Sequence, residues 1–287
     1  MRKGEKFLEL KHIASHEGRL SAILKEDMKI STGLMNRLKW QDKIFVNGAP
    51  QRTDYPVKLG DLVTVPLDEE EPEYPPQDAP LTVLYEDDHL IAVEKPAGML
   101  IHPSRSRFDG TLANFVVAYY NRTNQKCAFH PVTRLDRDTF GIVLLAKHSH
   151  AHALMQTVAL QKTYHALVLG DWQPEEGIID APIARKPLPS LLREVSPEGK
   201  PCLTEYRVLE RFDGYTKLAL RPVTGRTHQL RVHCAHMGHP ILGDPQYGNE
   251  ASGFGLSGQM LCAKRLEFIH PITGENLILE STMEATL

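Results

Sequence analysis

The sequence has few cysteines and no long apolar run, and each shortage excludes a class of protein. Its 287 residues include four cysteines, which lie far apart and predict free buried thiols rather than a disulfide framework or a zinc ribbon. No stretch approaches the ~20 consecutive apolar residues that a membrane span requires. The N-terminal sequence MRKGEKFLELKH also lacks the apolar core of a secretory signal. We therefore expect a cytoplasmic protein without a membrane partner.

The sequence also has little net charge, but its charges are segregated along the chain. A formal net charge of −3 argues weakly against a nucleic-acid partner. Residues 1–60 nevertheless carry twelve Lys or Arg against seven Asp or Glu, an excess that suits a partner made of phosphates. Residues 67–80 carry six acidic residues, four prolines and no basic residue, which predicts an extended, solvated tether.

The tether separates two predicted domains. In chain order we expect a small domain at residues 1–66, an acidic, proline-rich linker at 67–80 and a larger domain at 81–287. Within the small domain, residues 19–28 and 31–40 show the apolar spacing of helices, and Ser31 suits the N-cap of the second helix.

The larger domain contains many short apolar segments separated by turns. Segments such as GIVLLAK and TKLALRPV read as strands, whereas helical spacing is found chiefly at residues 111–121 and 149–161. Strands in series with occasional helices do not give the regular alternation of a doubly wound sheet. We therefore predict an α+β protein: a mixed, mainly antiparallel sheet in the larger domain beside a small N-terminal α+β module.

Polar residues are concentrated in four stretches of the larger domain, and folding alone would not require them there. The stretches are EKPAGMLIHPS (94–104), HPVTRLDRDTFG (130–141), QKTYHALV (161–168) and RPVTGRTHQLRVHCAHMGHPILGDPQYG (221–248). In their order and spacing they resemble the large-subunit-type RNA pseudouridine synthases over residues ~81–270. The resemblance implies an isomerase that converts uridine in RNA to pseudouridine and requires no cofactor and no metal.

The resemblance implies that Asp136, in Arg-Leu-Asp-Arg, is the catalytic carboxylate. The reaction detaches uracil from its ribose and rejoins it through carbon, so the carboxylate has to be ionised in a pocket that excludes water. Burial raises the pKa of a carboxyl group, and a nearby guanidinium lowers it. Side chains of Arg134 and Arg137 on an extended segment point to other faces or lie along the backbone. The family instead assigns the ion pair to Arg231.

Further site residues follow from the same resemblance. Arg231 is expected on a helix that Thr227 caps and Gly238 closes, with His228 on the same face. The target uracil has to leave the RNA stack, and the resemblance implies that it stacks on Tyr164, whose hydroxyl helps to remove a proton.

Other residues of the larger domain are expected to contact the RNA around the target. Arg134, Arg226 and His228 would bind phosphates or the displaced nucleotide, since a planar guanidinium suits phosphate. Leu261 falls where the family has an apolar residue beside the uracil, but it could equally be an ordinary core leucine.

Two residues depart from the pattern of the family. Thr133 replaces a histidine before Arg-Leu-Asp, and Phe140 replaces a serine after Asp-x-Thr. These departures leave the candidate catalytic residues intact, but they put in doubt the shape of the loop near the site and the preferred RNA.

The small domain resembles the RNA-binding module first described in a ribosomal small-subunit protein. The resemblance rests on two predicted helices followed by a strand pair that contains VNG and GDLVTV. It implies that Arg37, Lys39 and Lys43 contact structured RNA, although each could also be a solvated charge on a helix face. We expect ribosomal RNA as the partner, with transfer RNA as the alternative, and a monomeric protein.

Two other functions remain open from the sequence. A noncatalytic RNA-binding or assembly factor would clamp RNA with both domains, but it would have no use for Asp136 in a groove that faces phosphates. A metal-dependent hydrolase is the second, although the segment with the potential ligands contains no Asp or Glu. These ligands are His228, His233, Cys234, His236 and His239.

Overall fold

The computed structural model describes residues 8–67, 70, 72–104, 107–190, 192–249 and 254–287. The helices in this part of the chain are α1 (Leu20–Ala22), which continues as a π-helical turn (Ile23–Asp27), α2 (Thr32–Trp40), α3 (Leu112–Arg122), α4 (Ser149–Met155) and α5 (Gln229–His236). None of them is long and apolar enough to cross a membrane. The strands are β1 (Glu9–Ile13), β2 (Gly18–Arg19), β3 (Phe45–Val46), β4 (Ala49–Pro50), β5 (Pro56–Val57), β6 (Leu62–Pro66), β7 (Val83–Glu86), β8 (Leu90–Lys95), β9 (His130–Pro131), β10 (Phe140–Ala146), β11 (Gln161–Leu169), β12 (Glu176–Asp180), β13 (Ile183–Arg185), β14 (Arg193–Val195), β15 (Leu203–Phe212), β16 (Tyr215–Pro222), β17 (Leu261–Ile269) and β18 (Asn276–Glu280).

Residues 8–67 form a small unit with an apolar core of its own. Its four-stranded antiparallel sheet has the order β1-β6-β3-β4. As predicted, α2 begins after Ser31, whose hydroxyl accepts a hydrogen bond from the Leu34 amide at 3.2 Å. The first predicted helix is present, but after α1 it widens into the π-helical turn. The core of the unit includes Leu20, Ile23, Leu24, Leu38, Val63 and Val65.

The following part of the described chain is organised around a ten-stranded sheet. Eight strands follow the order β12-β15-β16-β11-β17-β10-β8-β7, while β18 pairs with β17 and β9 pairs with β10. The strand pairs of this sheet are antiparallel, apart from the parallel pair of β10 and β17. The predicted α+β class with a mainly antiparallel sheet is therefore confirmed.

β10 and the first four residues of β8 are buried on both faces, which explains their continuous apolar sequences. Successive side chains of a strand point to opposite faces, so helices on both sides require apolar residues at every position. One face of the two strands packs in a cluster with α3, and the other packs in a cluster with α4. The helix predicted at 111–121 corresponds to α3, but α4 ends at Met155, before the predicted end, because the chain turns there to enter β11.

The parallel pair of β10 and β17 depends on a glycine. Gly141 has φ +104° and lies opposite Ala263. A Cβ atom at Gly141 would overlap the backbone carbonyl oxygen of Ala263, so no other residue fits this approach. The close pairing brings the loop before β10 beside the first residues of β17, and this arrangement positions the candidate site.

The described residues of the acidic connector are mostly exposed, but Glu70 and Tyr74 contact the larger unit. Glu70 accepts hydrogen bonds from the Ser149 amide and from His130. Burial raises the pKa of Glu70, but these hydrogen bonds outweigh burial and lower it to about 2. The Tyr74 hydroxyl contacts His102 Nδ1 at 3.3 Å. These anchors could not be read from composition, because each depends on a partner that is distant in sequence.

Candidate active site

A cleft of about 1090 Å³ opens at one end of the large sheet. Its walls come from the loops around residues 100–102, 130–139 and 222–231, together with side chains of β11 and β17. All the candidate residues of the larger domain line this one cleft, although they are scattered over the sequence. They are Arg134, Asp136, Tyr164, Arg226, His228, Arg231 and Leu261.

Strand order explains how three of these side chains meet. β11, β17 and β10 are neighbours in the sheet. Ala263 of β17 lies opposite both Gly141 and Tyr164. Leu261 lies two residues before Ala263 and therefore shares a sheet face with Tyr164. Asp136 belongs to the loop that enters β10, so the register of the strands brings the carboxylate to the same cleft.

Asp136 forms the ion pair that the resemblance implied. Its Oδ2 lies 3.1 Å from Nη1 of Arg231, which is 95 positions away in sequence. The Asp136 side chain is 33% exposed and the Arg231 side chain is 4% exposed, so the carboxylate faces the cleft and the guanidinium lies behind it. Arg137 is engaged elsewhere, since it binds Asp138 through two hydrogen bonds. The catalytic role of Asp136 remains a prediction.

Arg231 is itself held by a second carboxylate. Asp244 is fully buried and accepts from Nε and Nη2 of Arg231, both at 2.7 Å. Gln246 accepts a further hydrogen bond at 2.9 Å, and the Tyr247 ring lies 5.0 Å from the guanidinium carbon. Burial lowers the pKa of Arg231, but Asp244 and Asp136 outweigh it and raise the pKa above its ordinary value. The guanidinium is therefore a permanent, oriented cation.

Asp244 and Tyr247 were missed as site residues in the sequence analysis. Both lie in GDPQYG, at the end of the fourth polar stretch. The sequence feature that could have pointed to Asp244 is an aspartate at the start of a predicted turn. The Asp244 carboxylate accepts from the amides of Gln246 and Tyr247, so it shapes this turn while it binds Arg231. Burial raises the pKa of Asp244, but the hydrogen bond and charge of Arg231 lower it below the ordinary value.

The start of α5 differs from the prediction. Thr227 was expected at the N-cap, but the cap residue is His228, in the left-handed conformation with φ +58°. The Gln229 side chain reaches back to the segment before the helix, where its Oε1 accepts from the Arg226 amide at 3.0 Å. Gly238 has φ +84° just after the helix, as expected for a closing glycine.

His228 faces Asp136 from the start of α5. Its Nε2 lies 3.9 Å from Oδ2 of Asp136, and its Nδ1 lies 2.9 Å from the Tyr247 hydroxyl. Burial lowers the pKa of His228, and the charge of Arg231 acts in the same direction against the charge of Asp136. The imidazole is therefore favoured in its neutral form beside the carboxylate.

Lys95, in the first polar stretch, supports the loop that carries Asp136. Its ammonium group is fully buried and donates to the backbone carbonyl oxygens of Pro96, Met99 and Arg137 at 2.8–3.0 Å. Burial lowers the pKa of Lys95 to about 8, although the charges of Asp138 and Asp136 act in the opposite direction. The first polar stretch thus has a structural role, because it holds the backbone of the loop that carries Asp136.

The two departures from the family pattern also support this loop. Thr133 is buried, and its hydroxyl accepts a hydrogen bond from the Leu144 amide at 2.9 Å. Phe140 packs in a cluster that includes Leu167 and Cys262. Thr133 therefore fixes the loop to β10, and Phe140 anchors the start of that strand.

Tyr164 and Leu261 form an apolar wall beside Asp136. Leu261 is buried at 3% exposure and Tyr164 is half-buried. Burial, together with the negative charge of Asp136, raises the pKa of Tyr164 to about 12. The hydroxyl is therefore protonated at neutral pH. The Tyr164 side chain thus suits a stacking surface for a base or a hydrogen-bond donor, rather than a phenolate that removes a proton.

The remaining candidate cations lie in two places. Arg134 and Arg226 are exposed at the cleft, and Nε of Arg226 donates to the Pro201 carbonyl oxygen at 3.3 Å. Arg37 and Lys39 are exposed on α2, and Lys43 is half-buried just after that helix. The last three do not line the cleft, so any contact they make with RNA is made outside it.

The structure separates the side chains that suggested a metal site. His233 contacts the Thr204 hydroxyl at 2.9 Å and the Ala181 carbonyl oxygen at 3.0 Å. His239 donates to the carbonyl oxygen of Leu169. In the described part of the chain, no three His, Cys, Asp or Glu side chains are grouped to hold a metal ion.

Comparison with known proteins links this cleft to RNA modification. Residues 89–236 match the model of a family described as RNA pseudouridylate synthase. This span contains Asp136, Tyr164 and Arg231, whereas Asp244, Tyr247 and Leu261 lie beyond it.

The chain is also similar to individual proteins along most of its length. It is 37% identical to the uncharacterized RNA pseudouridine synthase YjbO of Bacillus subtilis (strain 168), over 88% of this chain and 90% of that protein. It is 39% identical to ribosomal large subunit pseudouridine synthase D of Vibrio cholerae serotype O1, over 84% of this chain and 81% of that protein. The solved structure of human RNA pseudouridylate synthase domain containing 1 is 28% identical, with a TM-score of 0.59 over 72% of this chain and 85% of the other.

Proposed function

The chain belongs to the RNA pseudouridylate synthase family and is an isomerase that acts on RNA, and we propose that it converts uridines of structured ribosomal RNA with Asp136 as catalytic carboxylate. The observation that carries the proposal is the pairing of Asp136 with a buried, oriented Arg231 at a cleft that Tyr164 also lines. Transfer RNA is the alternative substrate.

Asp136 reacts through the carboxylate oxygen that Arg231 and His228 do not face. Arg231 and His228 both face Oδ2, so we assign Oδ1 as the oxygen that meets the nucleotide. Arg231 keeps the carboxylate ionised and oriented, because a permanent positive charge stabilises the ionised form and the two buried hydrogen bonds to Asp244 fix the guanidinium.

The target uridine enters the cleft flipped out of its RNA. A volume of about 1090 Å³ exceeds what one nucleotide requires. In the cleft the base stacks on the Tyr164 ring and contacts Leu261, which offsets part of the unstacking cost of a few kcal/mol. Since the hydroxyl of Tyr164 is protonated at neutral pH, we assign it to stacking and hydrogen-bond donation.

Cations outside the catalytic pair hold the rest of the RNA. Arg134 and Arg226 are assigned to phosphates near the flipped nucleotide, because both are exposed at the cleft. Arg37, Lys39 and Lys43 are assigned to structured RNA farther away, in an RNA-binding domain at residues 1–66 that the linker 67–80 joins to the catalytic domain 81–287. A monomeric state and a cytoplasmic location are proposed from the sequence alone.

The preference for ribosomal RNA follows the name of a relative and the character of the small unit. The Vibrio cholerae protein is named for the ribosomal large subunit, and the small unit resembles a module of ribosomal origin. The test is to incubate the purified protein with unmodified large-subunit ribosomal RNA and with unmodified transfer RNA, and to map pseudouridine at each position. We expect conversion at defined uridines of the ribosomal RNA. Conversion of transfer RNA alone would overturn the substrate assignment and leave the chemistry intact.

A further inference from the structure

We propose that Tyr247 is a positioning residue that fixes the orientation and the tautomer of His228, so that the protonated Nε2 of the imidazole faces Asp136. Tyr247 lies outside the span that matches the family model, and neither the sequence motifs nor the comparisons assign it a role. The proposal rests on the proposed catalytic role of Asp136 for its effect on turnover, but its statement about His228 can be measured independently.

The hydrogen bonds of the Tyr247 hydroxyl favour one direction for the bond to His228. The backbone amide of Arg193 donates to the Tyr247 oxygen at 2.9 Å, and an amide can only donate. The proton of the hydroxyl is then free for Nδ1 of His228, which lies 2.9 Å away. A neutral imidazole that accepts at Nδ1 carries its proton on Nε2.

That proton points toward the candidate catalytic carboxylate. Nε2 lies 3.9 Å from Oδ2 of Asp136, which is beyond hydrogen-bond distance. A small movement during RNA binding would allow Nε2 to donate to Oδ2. The opposite tautomer would turn a lone pair toward the carboxylate and repel it, so the tautomer decides whether His228 supports or disturbs Asp136.

Burial is the main cause that favours the neutral form of the imidazole, and the charged groups around it act in both directions. Asp136 and Asp244 act to raise the pKa of His228, whereas burial, Arg231 and Arg193 lower it, and the net direction is downward. A cationic imidazole would carry protons on both nitrogens and would have no tautomer to select. Because the neutral form is favoured, the hydrogen bond from Tyr247 is what distinguishes its two nitrogens.

Tyr247 is rigidly placed for this role. Its amide donates to Oδ1 of Asp244 at 3.1 Å, and its ring lies under the Arg231 guanidinium at 5.0 Å. The ring thus contacts one of the two cationic or proton-donating groups that face Asp136 Oδ2, and the hydroxyl contacts the other.

The test uses Tyr247→Phe, which keeps the ring under Arg231 and removes the hydroxyl. Nitrogen-15 NMR of the histidine rings, in the full-length protein at about pH 8 where imidazoles are neutral, reports the tautomer of His228. We expect the wild-type protein to be protonated at Nε2 and the variant to mix both tautomers. We also expect kcat to fall by about three- to tenfold, as for the loss of one hydrogen bond, with KM for RNA nearly unchanged.

Two controls separate positioning from a general structural effect. Tyr119→Phe removes a hydroxyl that donates to Glu86 at 2.6 Å, away from the cleft, and it is expected to leave the His228 signals and kcat unchanged. In a His228→Gln background, Tyr247→Phe is expected to cause no further loss of kcat, because its effect passes through the imidazole.

Three results would overturn the proposal. They are a wild-type His228 protonated at Nδ1, a Tyr247→Phe protein with unchanged His228 signals and kcat, and full additivity of the two substitutions. The first can be observed even if the variants fold poorly. An active Asp136→Asn enzyme would instead defeat the catalytic assignment, and the NMR result would still stand on its own.

Discussion

The cleft around Arg231 and the surface around Arg211 use the same side chains in different surroundings. Each arginine binds two carboxylates, Asp136 and Asp244 in the cleft and Asp171 and Glu175 on the surface. The Arg231 side chain is 4% exposed, whereas Arg211 is 33% exposed and both of its partners are 67% exposed.

The difference shows that burial, and not the number of ion pairs, determines how much an arginine contributes to stability and how firmly it orients its partners. Water and salt screen the surface group, and its side chains lose entropy when they are held in one geometry, so its net contribution is small. In the cleft the charges are desolvated, and removal of one partner leaves another buried and uncompensated. The same burial lets Arg231 orient a reactive carboxylate.

The largest expected effect is that of Arg231→Met. We expect the free energy of unfolding to fall by about 3–5 kcal/mol, because Asp244 would remain buried without a cation. Chemical denaturation of the wild-type and variant proteins measures this difference, and uridine conversion should be lost as well. Arg231→Lys should rescue little, since a compact ammonium cannot reproduce the bidentate pair with Asp244 while it also reaches Asp136. If Arg231→Met were as stable as the wild-type protein, the contrast between the buried and the exposed arginine cluster would disappear.

A smaller effect is expected for Asp244→Asn, which keeps the shape of the side chain. Loss of hydrogen bonds between charged groups should lower the free energy of unfolding by about 1.5–3 kcal/mol at neutral pH. Loss of turnover should accompany it, because Arg231 would no longer be fixed behind Asp136. A variant with normal stability and turnover would show that Asp136 alone suffices to hold the guanidinium.

The pH dependence of stability sharpens the same comparison. The pKa of Asp244 in the folded protein lies below its ordinary value of 3.8, so its contribution is fully present above about pH 3.8 and is lost as the pH falls further. Asp244→Asn lacks this contribution, so its stability should fall less steeply in that acidic range than that of the wild-type protein. Identical slopes for the two proteins in denaturation experiments below about pH 3.8 would contradict the account.

The smallest effect is expected on the surface, for Arg211→Gln. We expect the free energy of unfolding to change by about 1 kcal/mol or less and turnover to stay unchanged, because its partners are solvated. Denaturation at low and high salt should show that even this small difference declines as salt rises. A loss as large as that for Arg231→Met would mean that the surface cluster has a structural role that its exposure does not suggest.

The sequence predicted the parts of the site that belong to contiguous motifs. Asp136, Tyr164 and Arg231 each lie in a short polar stretch, and the structure brings all three to one cleft. Apolar segments at the right spacing also predicted the helices and the mainly antiparallel sheet. Local patterns suffice for such features because they are determined by residues that are close together in the chain.

The features that sequence reasoning missed depend on contacts between distant residues. Thr227 had the right side chain for a cap, but the helix begins one residue later, after His228 in the left-handed conformation. Glu70 reads as one acid among many, and only the fold brings it to the Ser149 amide. The buried pairing of Asp244 with Arg231 likewise depends on the turn after α5.

Turnover of Asp136→Asn tests the central claim most directly, because it removes the charge and keeps the shape. The assay measures conversion of uridine in ribosomal RNA by the wild-type protein, by Asp136→Asn and by the surface control Asp171→Asn, together with the affinity of each for RNA and its unfolding. We predict that Asp136→Asn folds and binds RNA nearly as well as the wild-type protein but does not convert uridine, while Asp171→Asn is fully active. An Asp136→Asn protein that converts uridine at the wild-type rate would contradict the account.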